Sequence, residues 1–270
     1  MTLYYNIDSR FKWYDERLQS ILKWTDDAPY IYEVYRASMK RAKELGHTIH
    51  LYGDGFAGLA LEGYWDEYTS IDHKRFKLLD EVKIYVHEQN DLDCVTFDGD
   101  IILNSRLQIP EYNDVWFEYE ETKKGIPWSD KVAFNYQIGN VYEEVLNVFK
   151  DCNTRRKFPY FNYDLEKAFN VGIIKFNSDK AKELLIKGFY DLKDFYLSQI
   201  ESKFNLRQIG MLPSLMICQY NFFLLSEKNK LKVGYTQNFT SSSGSNDYIH
   251  YIGPTKYMDK CRAEVTKILL

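Results

Sequence analysis

Two acidic side chains separated by one glycine stand between apolar runs in C-V-T-F-D-G-D-I-I-L, residues 94–103. Asp98 and Asp100, at i and i+2 around a turn that Gly99 relieves, can converge on one hard divalent cation. A cation held there can bridge the two phosphates of a nucleoside diphosphate and neutralise the charge that builds as the diphosphate leaves. The run before Asp98 reads as a buried strand, in which Cys94 is a buried thiol. D-x-D alone is common by chance, and D-x-D at the end of a buried strand is much rarer.

A second pattern competes for attention. Gly53-Asp54-Gly55-Phe56-Ala57-Gly58 satisfies G-x-G-x-x-G, the turn that lets backbone N–H groups approach a pyrophosphate at a helix N-terminus. Here Asp54 would place a carboxylate beside two phosphates. The glycines also follow what reads as the second strand, and Glu62, Gly63 and Trp65 make a poor crossover helix after them. The segment is read as a strand-ending turn at the carboxyl edge of a sheet, with Asp54 facing a ligand cleft. A dinucleotide-dependent oxidoreductase built on these glycines is the rival reading.

The elements that must position these residues follow from periodicity. Residues 2–7 read as a strand, with a helical stretch after it. Residues 31–45 read as a helix stopping at Gly46, 48–52 as a strand and 67–71 as a short one. A helix is expected over 75–89, with Phe76, Leu79, Val82 and Val86 on one face, and then a strand over 93–97. Alternating strands and helices predict a parallel, helix-covered sheet, whose ligands bind at the carboxyl ends of its strands. Further on, the pattern predicts a strand over 115–119, a helix over 138–150 and a strand within 168–176. A long helix capped by Asn177 or Ser178 should run to about 200. A helix over 214–225 has Pro213 in its first turn. A flexible loop at 240–246 precedes a strand at 248–252.

The sequence has 270 residues, enough for one large domain that buries roughly three quarters of its surface. It carries 23 Tyr and 17 Phe, a usage common in cores and in sugar- or base-binding clefts. The net charge of −4 provides no global field for nucleic acid. Basic residues cluster at 155–157 and 228–232, where a solvated turn is the plainer reading and an anionic acceptor the functional one. Cys94, Cys152, Cys218 and Cys261 fit no zinc spacing, which points to a reduced, cytoplasmic chain. The N-terminus lacks the apolar region of a signal peptide. No window approaches the ~20 apolar residues of a membrane span.

Taken in order, the segments between about residues 45 and 256 resemble the GT-A glycosyltransferases, in the broad group of glycogenin-like and lipopolysaccharide galactosyltransferase-like enzymes with bacterial and phage relatives. Ile49-His50-Leu51-Tyr52-Gly53-Asp54 is similar to that group's second strand, and Lys83 to a lysine on the helix before the metal strand. Phe97-Asp98-Gly99-Asp100 is similar to its D-x-D. Asn170-Val171-Gly172-Ile173-Ile174 is similar to a strand that lines the donor sugar and acceptor. His250-Tyr251-Ile252-Gly253-Pro254-Thr255-Lys256 is similar to H-h-x-G-x-x-K, where h is apolar.

The resemblance implies an α/β fold of GT-A type, with a mostly parallel Rossmann-like sheet, flanking helices and a helical C-terminal acceptor half. It implies one domain over 1–270, with a nucleotide-sugar half at about 1–105 and an acceptor half with the C-terminal metal segment at about 106–270. It implies a metal-dependent enzyme in which His250 joins Asp98 and Asp100 on Mn²⁺ or Mg²⁺. A nucleotide-sugar donor, UDP-sugar first, would meet Lys83, Asp54, Gly172, Gly253 and Lys256. Asn170 and Gln219 would line the reacting sugar, with Tyr5 near the base and the 240–246 loop as a lid. Retention of configuration is implied too. The chain departs from the pattern at Val171, at Gly53, and at Cys218-Gln219, where the family's acidic partner of the glutamine is missing. Glycans, lipid-linked saccharides, proteins and modified DNA bases, the last in a phage-type enzyme, all stay open as acceptors. A non-catalytic fold that binds glycans or a protein partner is the non-enzymatic alternative.

Overall fold

Strand β1, Thr2–Ile7, buries every second side chain, Leu3, Tyr5 and Ile7, as a strand with one face on a core must. Next come helix α1 (Tyr30–Glu44), β2 (Thr48–Gly53), α2 (Gly55–Ala60) and β3 (Glu67–Ser70). Helix α3 (Glu81–Gln89) leads to β4 (Val95–Phe97), β5 (Ile101–Leu103) and β6 (Val115–Thr122). The short α4 (Thr154–Lys157), β7 (Lys167–Phe176) and α5 (Asp179–Gln199) follow. A π-helical segment, Leu215–Tyr220, runs into α6 (Asn221–Asn229), followed by β8 (Val233–Tyr235), β9 (Tyr248–His250) and α7 (Asp259–Leu269). This computed structural model describes residues 1–7, 30–78, 80–122, 146–147, 149–164, 167–199, 214–236, 247–250 and 259–270.

The fold is α/β and its strands are mostly parallel. It divides into two compact units. Unit 1 comprises Met1–Phe76, Asp93–Gln108 and Ser245–Leu270. Its strands β3, β2, β1 and β4 lie side by side in that order, all parallel. The chain moves outward from β1 to β2 and β3, then returns to the other side of β1 with β4. That reversal makes the carboxyl ends of β1 and β4 the switch point at which such sheets bind ligands. Helix α1 packs a stripe of Ile31, Val34, Ala37, Ser38 and Ala42 inward. It stops where Gly46 takes φ +80°, and the His47 N–H bonds the Ala42 carbonyl at 3.0 Å. Tyr30 anchors α7, its hydroxyl meeting Cys261 Sγ at 3.7 Å while Arg262 covers its ring at 4.5 Å.

Unit 2 comprises Lys77–Leu92 and Ile109–Gly244. Strand β6 pairs antiparallel with β7 and parallel with β8. The aromatic content of the sequence concentrates in this unit's core. Phe117 stacks on Phe169 at 4.4 Å, and Phe149 stacks on both Phe161 and Tyr196.

Several expectations change. The helix predicted from residue 75 starts only at Glu81, because the Glu81 carboxylate accepts the N–H groups of Lys77 at 2.7 Å and Leu78 at 3.2 Å and holds the preceding chain in a turn. The glycine-rich segment is not a bare turn: it forms α2, whose N-terminus is capped by Asp54. The helix predicted over 214–225 opens in π form and continues to Asn229, where Lys230 turns left-handed. Ser178 rather than Asn177 caps α5, accepting the Ala181 N–H. Strand β8 and helix α7 are additions. The helical stretch after β1, most of the 138–150 helix, the 240–246 loop and residues 251–252 lie outside the described residues. Among the described residues no helix is long and apolar enough to cross a membrane.

One buried side chain makes stability sensitive to pH. His87 of α3 is buried with its ring edge-on to Phe176 at 4.8 Å. Burial, reinforced by the positive charges of Lys182 and Lys83, pushes its imidazole down to about 3. It is therefore neutral in the fold, whereas in the unfolded chain it takes a proton below about 6.5. Stability is complete above that pH and falls progressively as the pH drops toward 3. His87→Leu should lose less of its urea midpoint between pH 7 and pH 4.5 than the wild type. Equal losses in the two proteins would contradict this account.

Candidate metal centre

Strand β4 sits beside β1 with Leu3 opposite Val95 and Tyr5 opposite Phe97. The chain leaves it through Asp98, Gly99 and Asp100, and the turn closes with the Ile101 N–H on the Asp98 carbonyl at 3.2 Å. Strand β5 then pairs antiparallel with β9, placing Ile101 opposite His250. This register brings the imidazole back to the aspartate turn. His250 Nε2 lies 3.2 Å from Asp100 Oδ1, with both side chains largely buried.

Asp98, Asp100 and His250 offer three ligand atoms that all lie within 4.8 Å of one another. Two ligands bound at ~2.1 Å to one ion stand at most ~4.2 Å apart, so small side-chain rotations would close the set. Two carboxylates and one imidazole suit Mn²⁺ or Mg²⁺ better than a thiolate-seeking metal. The residues present thus fit a hard divalent ion.

Helix α1 fixes this turn from one side. Ser38 donates to the Ile101 carbonyl, and Tyr5 meets the same serine hydroxyl at 3.0 Å. Arg41 donates to the Leu103 carbonyl at 3.1 Å. At the far end of β5, the Asn104 N–H bonds the Asp247 carbonyl and Ser105 bonds the Asp247 carboxylate. A Cβ at Gly99 would stand 2.5 Å from Cδ1 of Tyr35, so the ring of Tyr35 requires glycine between the two aspartates. Sequence reading missed Tyr35 and Ser38. The only signal for Ser38 was its place on the buried stripe of α1, and half-buried Tyr35 had none.

The other residues expected at a site fall out differently. Asp54 Oδ1 accepts the Ala57 N–H at 2.7 Å and so caps α2. The helix end that would greet a pyrophosphate therefore carries a carboxylate already, and the helix is only six residues long. Gly58 of the same motif lets the ring of Tyr68 close in, since a Cβ there would meet it at 2.7 Å. Tyr5, expected near a base, is fully buried; burial raises its phenol, and its face is not available for stacking.

In unit 2, Lys83 is buried. Its ammonium donates to the Val171 carbonyl at 3.0 Å and stands 3.3 Å from Asp80 Oδ1. Val171 lies between Asn170 and Gly172, so this lysine grips the strand expected to line the sugar. The Asn170 amide donates to the Tyr119 hydroxyl at 2.9 Å, and its carbonyl accepts the Gly172 N–H at 2.8 Å. Ser214 donates to Asp80 Oδ2 and accepts the Asp80 N–H, each at 2.9 Å. Asp80 and Ser214 were not foreseen, although an acid three residues before Lys83 on a helix start was a readable signal. Gln219 is nearly buried within the π-helical segment, and Cys218 beside it is fully buried. Gly253 and Lys256 lie outside the described residues.

No family model matches the chain, and no curated protein matches its sequence. Solved chains of similar structure are glycosyltransferases. The galactosyltransferase LgtC, solved with donor and acceptor sugar analogues, is 13% identical with a TM-score of 0.49, over 99% of this chain and 95% of that one. Mouse xyloside xylosyltransferase 1 is 10% identical with a TM-score of 0.43, over 87% and 85%. GlyE of Streptococcus pneumoniae TIGR4 is 11% identical with a TM-score of 0.41, over 87% and 44%.

The Tyr35–Gly99 contact can be tested directly. Gly99→Ala should destabilise the protein by about 1–3 kcal/mol, the usual cost of an overpacked site. Adding Tyr35→Ala should recover part of that loss, giving a coupling above ~0.5 kcal/mol in a double-mutant cycle of urea midpoints. Strict additivity would show that the ring does not require the glycine.

Proposed function

We propose that this chain is a metal-dependent glycosyltransferase that moves a sugar from a nucleoside diphosphate to an acceptor hydroxyl, with a UDP-sugar as donor. The observation that carries the reading is the cluster of Asp98, Asp100 and His250 at the carboxyl end of β4. Mn²⁺ or Mg²⁺ held there would neutralise the diphosphate as it departs. In the reaction the bond from the sugar's anomeric carbon to the phosphate oxygen breaks, and its electron pair leaves with the diphosphate. A bond from the acceptor oxygen to that carbon forms, and the acceptor's proton passes to the departing phosphate oxygen. Attack of the acceptor oxygen on the face from which the diphosphate departs gives retention of configuration.

On this reading the whole chain acts as one catalytic domain, unit 1 carrying the nucleotide part and unit 2 the acceptor part. Lys256 and Gly253 serve the diphosphate of the donor. Asn170, Gly172 and Gln219 line the sugar. Lys83 and Asp54 serve as positioning residues: the lysine holds the Val171 backbone, and the aspartate caps the helix after β2. The buried bonds of Asn170 support this, because a side chain fixed before the substrate arrives has no reorganisation left to perform in the transition state.

Thermal-shift titration with Mn²⁺ and UDP-, GDP-, CDP- and TDP-sugars tests the proposal, with NAD(H) and NADP(H) as controls. A ligand at ~100 times its dissociation constant stabilises the fold by about 2.7 kcal/mol. One nucleotide sugar should stabilise the wild type only with Mn²⁺ present, and Asp100→Ala should abolish the shift. Stabilisation by a nicotinamide dinucleotide that persists in Asp100→Ala would overturn the proposal in favour of an oxidoreductase.

A further inference from the structure

Two basic clusters far apart in the sequence meet on unit 2. Arg155, Arg156 and Lys157 form the single turn of α4 and are all exposed. Lys228 is exposed near the end of α6. The Lys157 ammonium lies over the rings of Phe158 at 5.5 Å and Phe195 at 5.4 Å. Phe158 meets Tyr160 edge-on at 6.0 Å, and the Lys228 ammonium lies over Tyr160 at 5.0 Å. Arg155 covers Tyr163 at 6.0 Å. One aromatic strip thus carries cations from both clusters.

What holds these cations matters for what they can bind. Several lysines elsewhere are paired with carboxylates: Lys43 with Asp66, Lys83 with Asp80, Lys167 with Glu120, Lys187 with Asp191 and Lys193 with Glu81. Among the described residues no carboxylate forms an ion pair with Arg155, Arg156, Lys157 or Lys228. Rings steady three of the four heads without cancelling their charge. Beside them runs a groove of about 380 Å³ lined by Cys152, Asn153, Arg156, Lys157 and Phe195, with no acidic residue among the described residues of its wall. That volume falls in the range of small-ligand clefts, roughly 300–1,000 Å³.

We propose that this groove binds a phosphate group. The guanidinium of Arg156 offers a planar fork for two phosphate oxygens, and Lys157 adds a point charge on the same anion. The Asn153 amide supplies a neutral donor, and Phe195 gives an apolar floor for whatever carries the phosphate. A long polyanion would call for a broad positive field, and the net charge is −4. The segment carrying the groove docks on the helix that includes Gln219: the Tyr160 hydroxyl donates to Asn221, and the Tyr220 hydroxyl donates to the Asn162 carbonyl. Resting here on the transferase reading, the phosphate belongs to the acceptor, which is then a phosphorylated saccharide, either soluble or linked to a lipid.

The test needs neither metal nor donor, so it stands or falls apart from the transferase reading. Inorganic phosphate and glycerol 3-phosphate are titrated calorimetrically into the wild-type protein, the Arg156→Ala/Lys157→Ala variant and the control Lys180→Ala. The wild type and the control should bind alike, and the double variant should bind at least tenfold more weakly. Lys228→Ala should show a smaller loss in the same direction. Co-sedimentation with phosphatidylglycerol but not phosphatidylcholine vesicles, lost in the double variant, would support the proposal with a lipid-borne phosphate as the source. Phosphate binding without vesicle binding would support it with a soluble one. No phosphate binding by the wild type, or equal binding by the double variant, would overturn it. So would binding of a DNA oligonucleotide by a protein that ignores free phosphate.

Discussion

The antiparallel pairing of β5 with β9 is the constraint on which the metal centre depends. Asp98 and Asp100 are neighbours in sequence and need only a turn to converge. His250 comes from the far end of the chain, and only the register that sets Ile101 opposite His250 delivers its ring to Asp100. The pairing spans three residues per strand, so it needs support from outside. Complete burial of Ile101, Ile102 and Leu103 provides part of it. Ser38 and Arg41 of α1 hold the β5 carbonyls, and Asp247 ties the strand ends together. A slip of one residue would turn His250 to the opposite face and undo the cluster.

Unit 2 solves a different problem, that of holding polar side chains still away from water. Lys83 and Asp80 are both buried, and an isolated charge there would be costly. Each is satisfied by the other and by further bonds, Lys83 to the Val171 carbonyl and Asp80 to Ser214. Lys193 of α5 and Glu81 of α3 make a second such pair nearby. This network binds the start of α3 to the strand carrying Asn170 and to the start of the π-helical segment carrying Gln219. π-Helical turns recur at functional sites because they re-aim side chains that an α-helix would place elsewhere.

Much of this is legible in the sequence. Strong periodicity and clear stops gave away β1, α1 and β2, and Gly46 ends its helix as its position suggested. The D-x-D turn was legible because two carboxylates around glycine at the end of an apolar strand have few other uses. The pairing of His250 with it was not readable from periodicity, since register between distant strands leaves no local trace; only the order of motifs hinted at it. The glycine motif reads as a turn in the sequence; in the fold Gly58 makes room for Tyr68 and Asp54 caps a helix. Lys83 was visible as a special lysine, but besides Asp80 it bonds the Val171 carbonyl, and backbone contacts have no sequence signature. The basic clusters at 155–157 and 228–232 looked like solvated turns because nothing in the sequence shows that aromatic rings join them.

The central claim is that Asp98, Asp100 and His250 form one metal site. The most direct test is electron spin-echo spectroscopy of Mn²⁺ bound to protein labelled with ¹⁵N at histidine. The account predicts coupling to a single imidazole nitrogen, lost in His250→Gln while weaker Mn²⁺ binding through the two aspartates persists. Bound Mn²⁺ with no nitrogen coupling, or a coupling unchanged in His250→Gln, would contradict it.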